Sequence, residues 1–155
     1  MAVGGGGLIG GIGLYLKAYN PTIEVVACNP QQDPCMHWSL AAGKIVDNIH
    51  NPTLSEGTAG GIEPGAITFK ICKKVIDHSI LVTEKEIAGA MKEVWDNCNI
   101  KIEGAAGVAL AGCVKDTKRR GKKKGVVVIC GGNIADDVFN EIIENAEDLT
   151  REESD

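Results

Sequence analysis

The sequence predicts an α/β fold: a three-layer αβα arrangement whose middle layer is a mostly parallel sheet. Short runs rich in Val and Ile alternate along the chain with segments of helical periodicity, and that alternation is typical of a parallel sheet covered on both faces. The 155 residues suit one compact domain. We expect a single α/β domain over residues 1–146 and a frayed acidic tail over residues 147–155.

The first helices and strands are predicted from the apolar runs and from the proline and glycine residues that end them. They are predicted at residues 2–3 (the end of a strand), 8–19 (helix), 23–28 (strand) and 34–42 (helix). Pro21 ends the first helix because the residue before a proline disfavours helical backbone. Gly43 follows the second helix at the position where a glycine commonly terminates one.

The later elements follow a long polar, glycine-rich loop at residues 48–65. They are predicted at residues 66–77 (helix), 79–82 (strand), 83–95 (helix), 104–118 (helix), 126–130 (strand) and 136–147 (helix). Thr83 and Glu86 have the spacing of a capping box, which fixes the start of a helix. The run Val-Val-Val-Ile-Cys at 126–130 is typical of a buried strand.

Composition excludes several classes of function. The net charge is −5 and aromatic residues make up only 4%, so we expect neither a nucleic-acid partner nor a membrane surface. The apolar N-terminal stretch lacks a basic flank and is too short to span a bilayer. Six cysteines without a CxxC pair indicate reduced thiols, and hence a cytoplasmic protein without a structural metal.

Four consecutive glycines, residues 4–7, lie between a strand end and a helix start. Glycines let backbone N–H groups approach a ligand, and the positive end of a helix favours an anion, so the loop predicts a phosphate site. A tight turn that only packs helix on sheet is the alternative. Gly5, Gly7 and Gly10 also match the dinucleotide fingerprint, but no acidic residue ends the next strand, which disfavours a nicotinamide cofactor.

Four segments together resemble a known family. They are GGGGLIGG at residues 4–11, GTAGGIEPGAITF at 57–69, IEGAAG at 102–107 and VICGGN at 128–133. In this order they resemble the threonine/serine dehydratases, which are pyridoxal-phosphate enzymes of fold type II related to serine racemase and tryptophan synthase β. The resemblance covers the second half of such an enzyme's large domain.

The resemblance implies pyridoxal 5'-phosphate as the cofactor and assigns residues to it. The tetraglycine loop would hold the phosphate, Cys130 would bond the pyridine nitrogen, Glu103 would lie close to the ring, and Gly61 would place its backbone near the cofactor. The loop comprises Gly4, Gly5, Gly6, Gly7 and Leu8. A neutral thiol at Cys130 cannot keep the ring nitrogen protonated, which suits elimination better than transamination.

The resemblance further implies an ammonia-lyase that removes water from L-threonine or L-serine and releases a 2-oxo acid and ammonia. The family's Schiff-base lysine lies in a segment that this sequence lacks, so no catalytic residue is assigned here and the lone chain is expected to be inactive. Asn29 and Cys35 stand where the family has acidic cation ligands, so no metal is expected.

Two alternatives stay open. The chain either works as a homo-oligomer or with a complementing N-terminal chain, or it is a truncated, non-catalytic relative.

Overall fold

A computed structural model of the chain describes residues 1–47, 50–121 and 124–146. The helices are α1 (Gly7–Tyr19), α2 (Cys35–Ala42), α3 (Ile67–Val75), α4 (Glu84–Cys98), α5 (Gly104–Arg120) and α6 (Asp136–Asn145), the strands are β1 (Val26–Pro30) and β2 (His78–Val82), and a 3-10 turn covers Glu56–Thr58. The predicted acidic tail at 147–155 lies outside the described residues. Within the described ranges, no helix is both long enough and apolar enough to cross a bilayer.

The sheet is parallel, as predicted. β1 and β2 pair with Val26 opposite His78 and Pro30 opposite Val82. On the other side of β1, Ala2 forms an isolated parallel bridge with Cys28. β1 therefore lies in the middle, between the N-terminal segment and β2, and its carboxyl end lies beside the start of the glycine loop.

Alternate residues of β1 enter two separate cores. Ala27 packs with apolar side chains of α1, α2 and α3, whereas Cys28 packs with those of α4, α5 and α6. Because successive strand residues point to opposite faces of a sheet, these two cores are the two interfaces of an αβα sandwich. The three-layer prediction is confirmed.

The helix boundaries follow the predicted signals closely. Gly43 ends α2 in the left-handed conformation with φ 69°. Thr83 caps α4 through both bonds of the capping box: its hydroxyl accepts from the Glu86 amide, and the Glu86 carboxylate accepts from the Thr83 amide. α4 continues three residues beyond the predicted end, to Cys98.

The predicted strand at residues 126–130 is wrong. The part of the structure that covers residues 124–135 contains no strand, and the side chain of Val126 is 91% exposed. A β-branched run suits a pleated surface, but it forms a strand only where a neighbouring strand offers a ladder. Here Gly131 accepts a backbone hydrogen bond from Glu103, which begins a helix rather than a strand.

Candidate functional site

A cavity of about 270 Å³ lies at the carboxyl end of the sheet, between the glycine loop and the start of α5. Its walls are formed by the chain from Ala2 to Ile9, together with Gly57, Thr58, Glu103, Ala105 and Cys130. This is the edge at which parallel α/β sheets place ligands.

The glycine loop lines this cavity at the start of α1. α1 begins at Gly7, and among the described residues no side chain caps its N-terminus and no acidic residue occupies its first turn. The first N–H groups of a helix have no acceptor within it, and the helix dipole adds partial positive charge there. A Cβ atom at Gly5 or Gly7 would have no atom of the described residues within 4 Å. An anion can therefore reach these amides without meeting side chains.

The back of the loop is fixed by packing. Gly6 has φ 84°, and a Cβ atom there would lie 2.6 Å from the Cys72 sulfur and 2.9 Å from the Met36 methyl carbon. The Cys72 thiol donates to the Gly6 carbonyl at 3.5 Å, and burial raises the pKa of this thiol. Residue 6 must be glycine both for its backbone conformation and for the close approach of α2 and α3.

The opposite wall is the 3-10 turn, which was not predicted to be part of the site. A Cβ atom on Gly4 would lie 3.0 Å from the Thr58 Cα atom, so the two backbones are in contact. The Thr58 hydroxyl lies 2.6 Å from that of Ser55, and the Thr58 amide donates to the Ser55 carbonyl at 2.9 Å. The spacing of Ser55 and Thr58 is the signal that could have pointed to this turn, since hydroxyls three residues apart stabilise local turns.

Gly61 does not share the cavity. It belongs to the same glycine-rich motif as Gly57, but it is absent from the cavity lining described here. A Cβ atom at Gly61 would instead lie 3.9 Å from His50 Nε2 and 4.0 Å from Asp47 Oδ1. The predicted nearness of Gly61 to a cofactor stays a prediction.

Glu103 connects three segments at the cavity. It is the N-cap residue of α5. Its carboxylate accepts from the Asn133 amide at 3.0 Å, and its own amide donates to the Gly131 carbonyl at 3.2 Å. Its Oε1 atom lies 3.1 Å from the position of a Cβ atom on Gly57. The carboxylate thus lies between the turn wall and the loop that carries Cys130.

Cys130 is exposed and lines the cavity. Of the residues predicted for the cofactor, Gly4, Gly5, Gly6, Gly7, Leu8, Glu103 and Cys130 are therefore brought together. No lysine is found in the lining of this cavity among the residues that the structure covers.

Asn29 and Cys35, the two positions at which the resemblance would place acidic cation ligands, carry neutral side chains. Asn29 is fully buried, and its amide nitrogen donates to the Ser79 hydroxyl at 3.3 Å. The same hydroxyl lies 2.6 Å from His37 Nδ1, and the Cys35 thiol donates to the Val46 carbonyl at 3.5 Å. The described ranges hold no group of three Asp, Glu, His or Cys side chains arranged for a metal ion. These residues do not fit a divalent cation, which prefers carboxylate oxygens.

Comparisons with known proteins find relatives over most of this chain. The chain is 36% identical over 141 residues to an L-threonine ammonia-lyase of Thermotoga maritima, an alignment that covers 91% of this chain and 35% of the relative. It is 39% identical over 136 residues to a serine racemase of Dictyostelium discoideum, covering 85% of this chain and 41% of that protein. The chain thus spans well under half the length of these relatives.

Solved structures show the same fold. The processed form of threonine deaminase isoform 2 from Solanum lycopersicum aligns with a TM-score of 0.85 and 29% identity, over 92% of this chain and 42% of that one. The serine racemase of Dictyostelium discoideum aligns with a TM-score of 0.78 and 37% identity, over 86% of this chain and 43% of that one. The family model described as "Pyridoxal-phosphate dependent enzyme" matches residues 1–131. With that match over most of its length, the chain belongs to the pyridoxal-phosphate dependent enzymes of fold type II.

Proposed function

We propose that this chain is the cofactor-holding part of an ammonia-lyase that acts on L-threonine or L-serine. The observation that supports the proposal most directly is the cavity that the glycine loop lines together with Glu103 and Cys130. The activity is inferred from the relatives, which include L-threonine ammonia-lyases of Thermotoga maritima and Geobacter sulfurreducens.

The residues of the cavity fit pyridoxal 5'-phosphate at its phosphate end. The amides at the start of α1 lack side-chain caps, and the space in front of Gly5 and Gly7 is open among the described residues. Backbone N–H groups at a helix N-terminus are well suited to a phosphate monoester. When bound, the cofactor supplies an electron sink for bond breaking at the α-carbon of an amino acid.

Cys130 and Glu103 would act at the ring end. A thiol is a weak hydrogen-bond donor and acceptor, so Cys130 can orient a ring nitrogen without forcing a proton onto it. The Glu103 carboxylate is already held by the Asn133 amide, which fixes its orientation before a ligand arrives. A weak partner for the nitrogen limits charge build-up in the ring, in keeping with elimination of the β-hydroxyl.

The reaction also needs an amine to attach the cofactor and a base for the α-proton. Since no lysine of the described residues lines the cavity, we propose that the lysine comes from a part of the enzyme outside these 155 residues, on the same polypeptide or on a complementing one. The alternative is a non-catalytic relative that binds the phosphate ester without turnover. The same absence of a cavity lysine favours this alternative for the chain taken alone.

Binding and turnover measured separately test the proposal. The purified chain should bind pyridoxal 5'-phosphate more tightly than pyridoxal, and inorganic phosphate should compete. Equal affinity for the two aldehydes would refute a phosphate site.

Borohydride treatment should fix no cofactor to a cavity lysine, and threonine should not be consumed by the chain alone. Oxo-acid release after addition of a polypeptide corresponding to the relatives' N-terminal part would support the lyase over the non-catalytic alternative.

A further inference from the structure

We propose that Asp33 and Glu84 are positioning residues for the cavity. Both carboxylates lie outside the cavity lining, and together they hold the loop at residues 50–61 so that Gly57 and Thr58 form its wall. The inference rests on the proposed function for the identity of the ligand, but the positioning itself can be measured without any ligand.

Asp33 anchors the far end of the loop. It lies between β1 and α2, and its side chain is only 1% exposed. One carboxylate oxygen accepts from the Gly60 amide at 2.7 Å, and the other lies 2.9 Å from His50 Nδ1. A buried carboxylate is unfavourable unless it is hydrogen-bonded, and both bonds that satisfy Asp33 come from this loop. Asp33 therefore fixes the loop on either side of the turn.

Glu84 anchors the near end. It is the first residue of α4, and its carboxylate accepts from the Leu54 amide at 2.6 Å and from the Thr53 hydroxyl at 2.8 Å. A Cβ atom on Gly104 would overlap the Leu54 carbonyl oxygen. The loop is thus held tightly against the start of α5 immediately before the turn begins.

The turn between these anchors packs against α5 and the glycine loop through small groups only. Gly57 has no side chain, and the Thr58 hydroxyl is used by Ser55. The position of the turn therefore depends on the hydrogen bonds at its two ends as well as on these contacts. Because Thr58 touches Gly4 and Gly57 approaches Glu103, displacement of the loop would widen the gap that the cofactor phosphate has to fill.

The chain offers a rescuing variant and a matched control for Asp33. In Asp33→Asn the amide oxygen can accept from Gly60 and the amide nitrogen can donate to a neutral His50, so both contacts survive. Asp33→Ala removes both. Asp47→Asn changes another carboxylate near the same histidine. The Asp47 side chain is 94% exposed, and its Oδ1 atom lies 3.5 Å from His50 Nε2. A general effect of charge near His50 would appear in the Asp47 variant as well.

Hydrogen–deuterium exchange of the whole chain tests the positioning. In Asp33→Ala and in Glu84→Ala, amides of residues 54–60 should exchange roughly ten times faster or more, since the side-chain acceptors of the Gly60 and Leu54 amides are lost. Asp33→Asn, Glu84→Gln and Asp47→Asn should stay close to the wild type. Urea unfolding is measured in parallel, so that local loosening is separated from global destabilisation.

Affinity for pyridoxal 5'-phosphate and for pyridoxal provides the second readout. Asp33→Ala should weaken the phosphate ester roughly tenfold while leaving pyridoxal little changed. Unchanged exchange at residues 54–60 in both alanine variants would overturn the inference, as would an equal loss in Asp33→Asn. If the wild type itself does not prefer the phosphate ester, the proposed function fails, and the exchange data still decide whether the carboxylates position the loop.

Discussion

The Glu103 carboxylate occupies the space in which a side chain on residue 131 would begin. A Cβ atom at Gly131 would overlap Glu103 Oε1, and the backbone at Gly131 has φ 124°. The two residues are also joined by the bond from the Glu103 amide to the Gly131 carbonyl. Only glycine at 131 permits this arrangement, which connects the start of α5 to the loop that carries Cys130.

Gly131→Ala should therefore displace the Glu103 side chain. The left-handed backbone adds about 1–3 kcal/mol of strain for a non-glycine residue, so the free energy of unfolding should fall by a similar amount. Affinity for pyridoxal 5'-phosphate should fall as well, because the displaced carboxylate borders the cavity. Urea unfolding and fluorescence titration measure the two effects.

Gly125→Ala is the control for this change. Residue 125 precedes the same segment, and a Cβ atom there would meet no atom of the described residues within 4 Å. It should leave both stability and affinity near the wild type. Wild-type affinity and stability in Gly131→Ala would contradict the coupling between Glu103 and residue 131.

The glycine loop permits a similar comparison. A Cβ atom at Gly5 has free space within the described structure, and Gly5 lines the cavity. Gly5→Ala should therefore fold normally and bind the phosphate ester at least about tenfold more weakly, because the added methyl group competes with the ligand for that space. Gly11→Ala also introduces a Cβ into open space, but on an exposed turn of α1 away from the lining. It should bind as the wild type does. Equal binding by the two variants would place the phosphate elsewhere.

The elements that were predicted correctly carry their own local signals. Thr83 and Glu86 specify the start of α4 within four residues of sequence, and Gly43 specifies the end of α2 by its backbone freedom. Both signals act between neighbours in the chain, so no tertiary information was needed to find them.

The features that were missed depend on contacts between distant segments. The run ending at Cys130 has the composition of a strand, but whether it pairs depends on a neighbouring strand that the local pattern cannot reveal. Similarly, the part that Thr58 plays in the cavity wall could not be predicted locally, because the carboxylates that bond the loop around it, Asp33 and Glu84, lie about 25 residues to either side. The glycine loop was predicted as an anion site from its own residues, whereas Glu103 and Cys130 were assigned to the same site only through the resemblance to a family.

The pKa values of two histidines should be shifted in opposite directions. The hydrogen bond and charge of Asp33 raise the pKa of His50, whereas burial lowers the pKa of His37. NMR titration of the ring protons should therefore place His50 above the ordinary value of about 6.5 and His37 below it. Asp33→Asn should return His50 toward the ordinary value and leave His37 unchanged. A wild-type His50 that titrates at or below that value would contradict the Asp33–His50 contact.

These shifts have opposite consequences for stability. Protonated His50 favours the folded chain, so its contribution is fully present below about pH 6.5 and is lost as pH rises through its raised pKa. His37 binds its proton more weakly when folded, so its contribution is present above about pH 6.5 and is lost as pH falls through its lowered pKa. Urea unfolding of His50→Ala and His37→Ala across this range should show slopes that differ from the wild type with opposite signs.

The capping box of α4 supports one of the two cores. Thr83→Ala should lower the free energy of unfolding by about 1 kcal/mol, because the Glu86 amide loses its acceptor. Thr83→Ser keeps a hydroxyl and should recover most of the loss. Chemical denaturation followed by circular dichroism measures the difference. Equal loss in both variants would mean that the Thr83 methyl group, rather than the cap, stabilises this end of the helix.

Thiol labelling can locate the bound cofactor. Cys130 and Cys98 are both exposed, whereas burial shields Cys28 and Cys72 and raises the pKa of each thiol. Because the thiolate is the reacting form, the exposed pair should be alkylated first and the buried pair only on unfolding.

Pyridoxal 5'-phosphate should slow the labelling of Cys130, which lines the cavity, and should not affect Cys98 at the end of α4. Mass spectrometry of each cysteine peptide measures the rates. Equal protection of the two exposed cysteines would indicate general shielding, and protection of neither at saturating cofactor would remove Cys130 from the site.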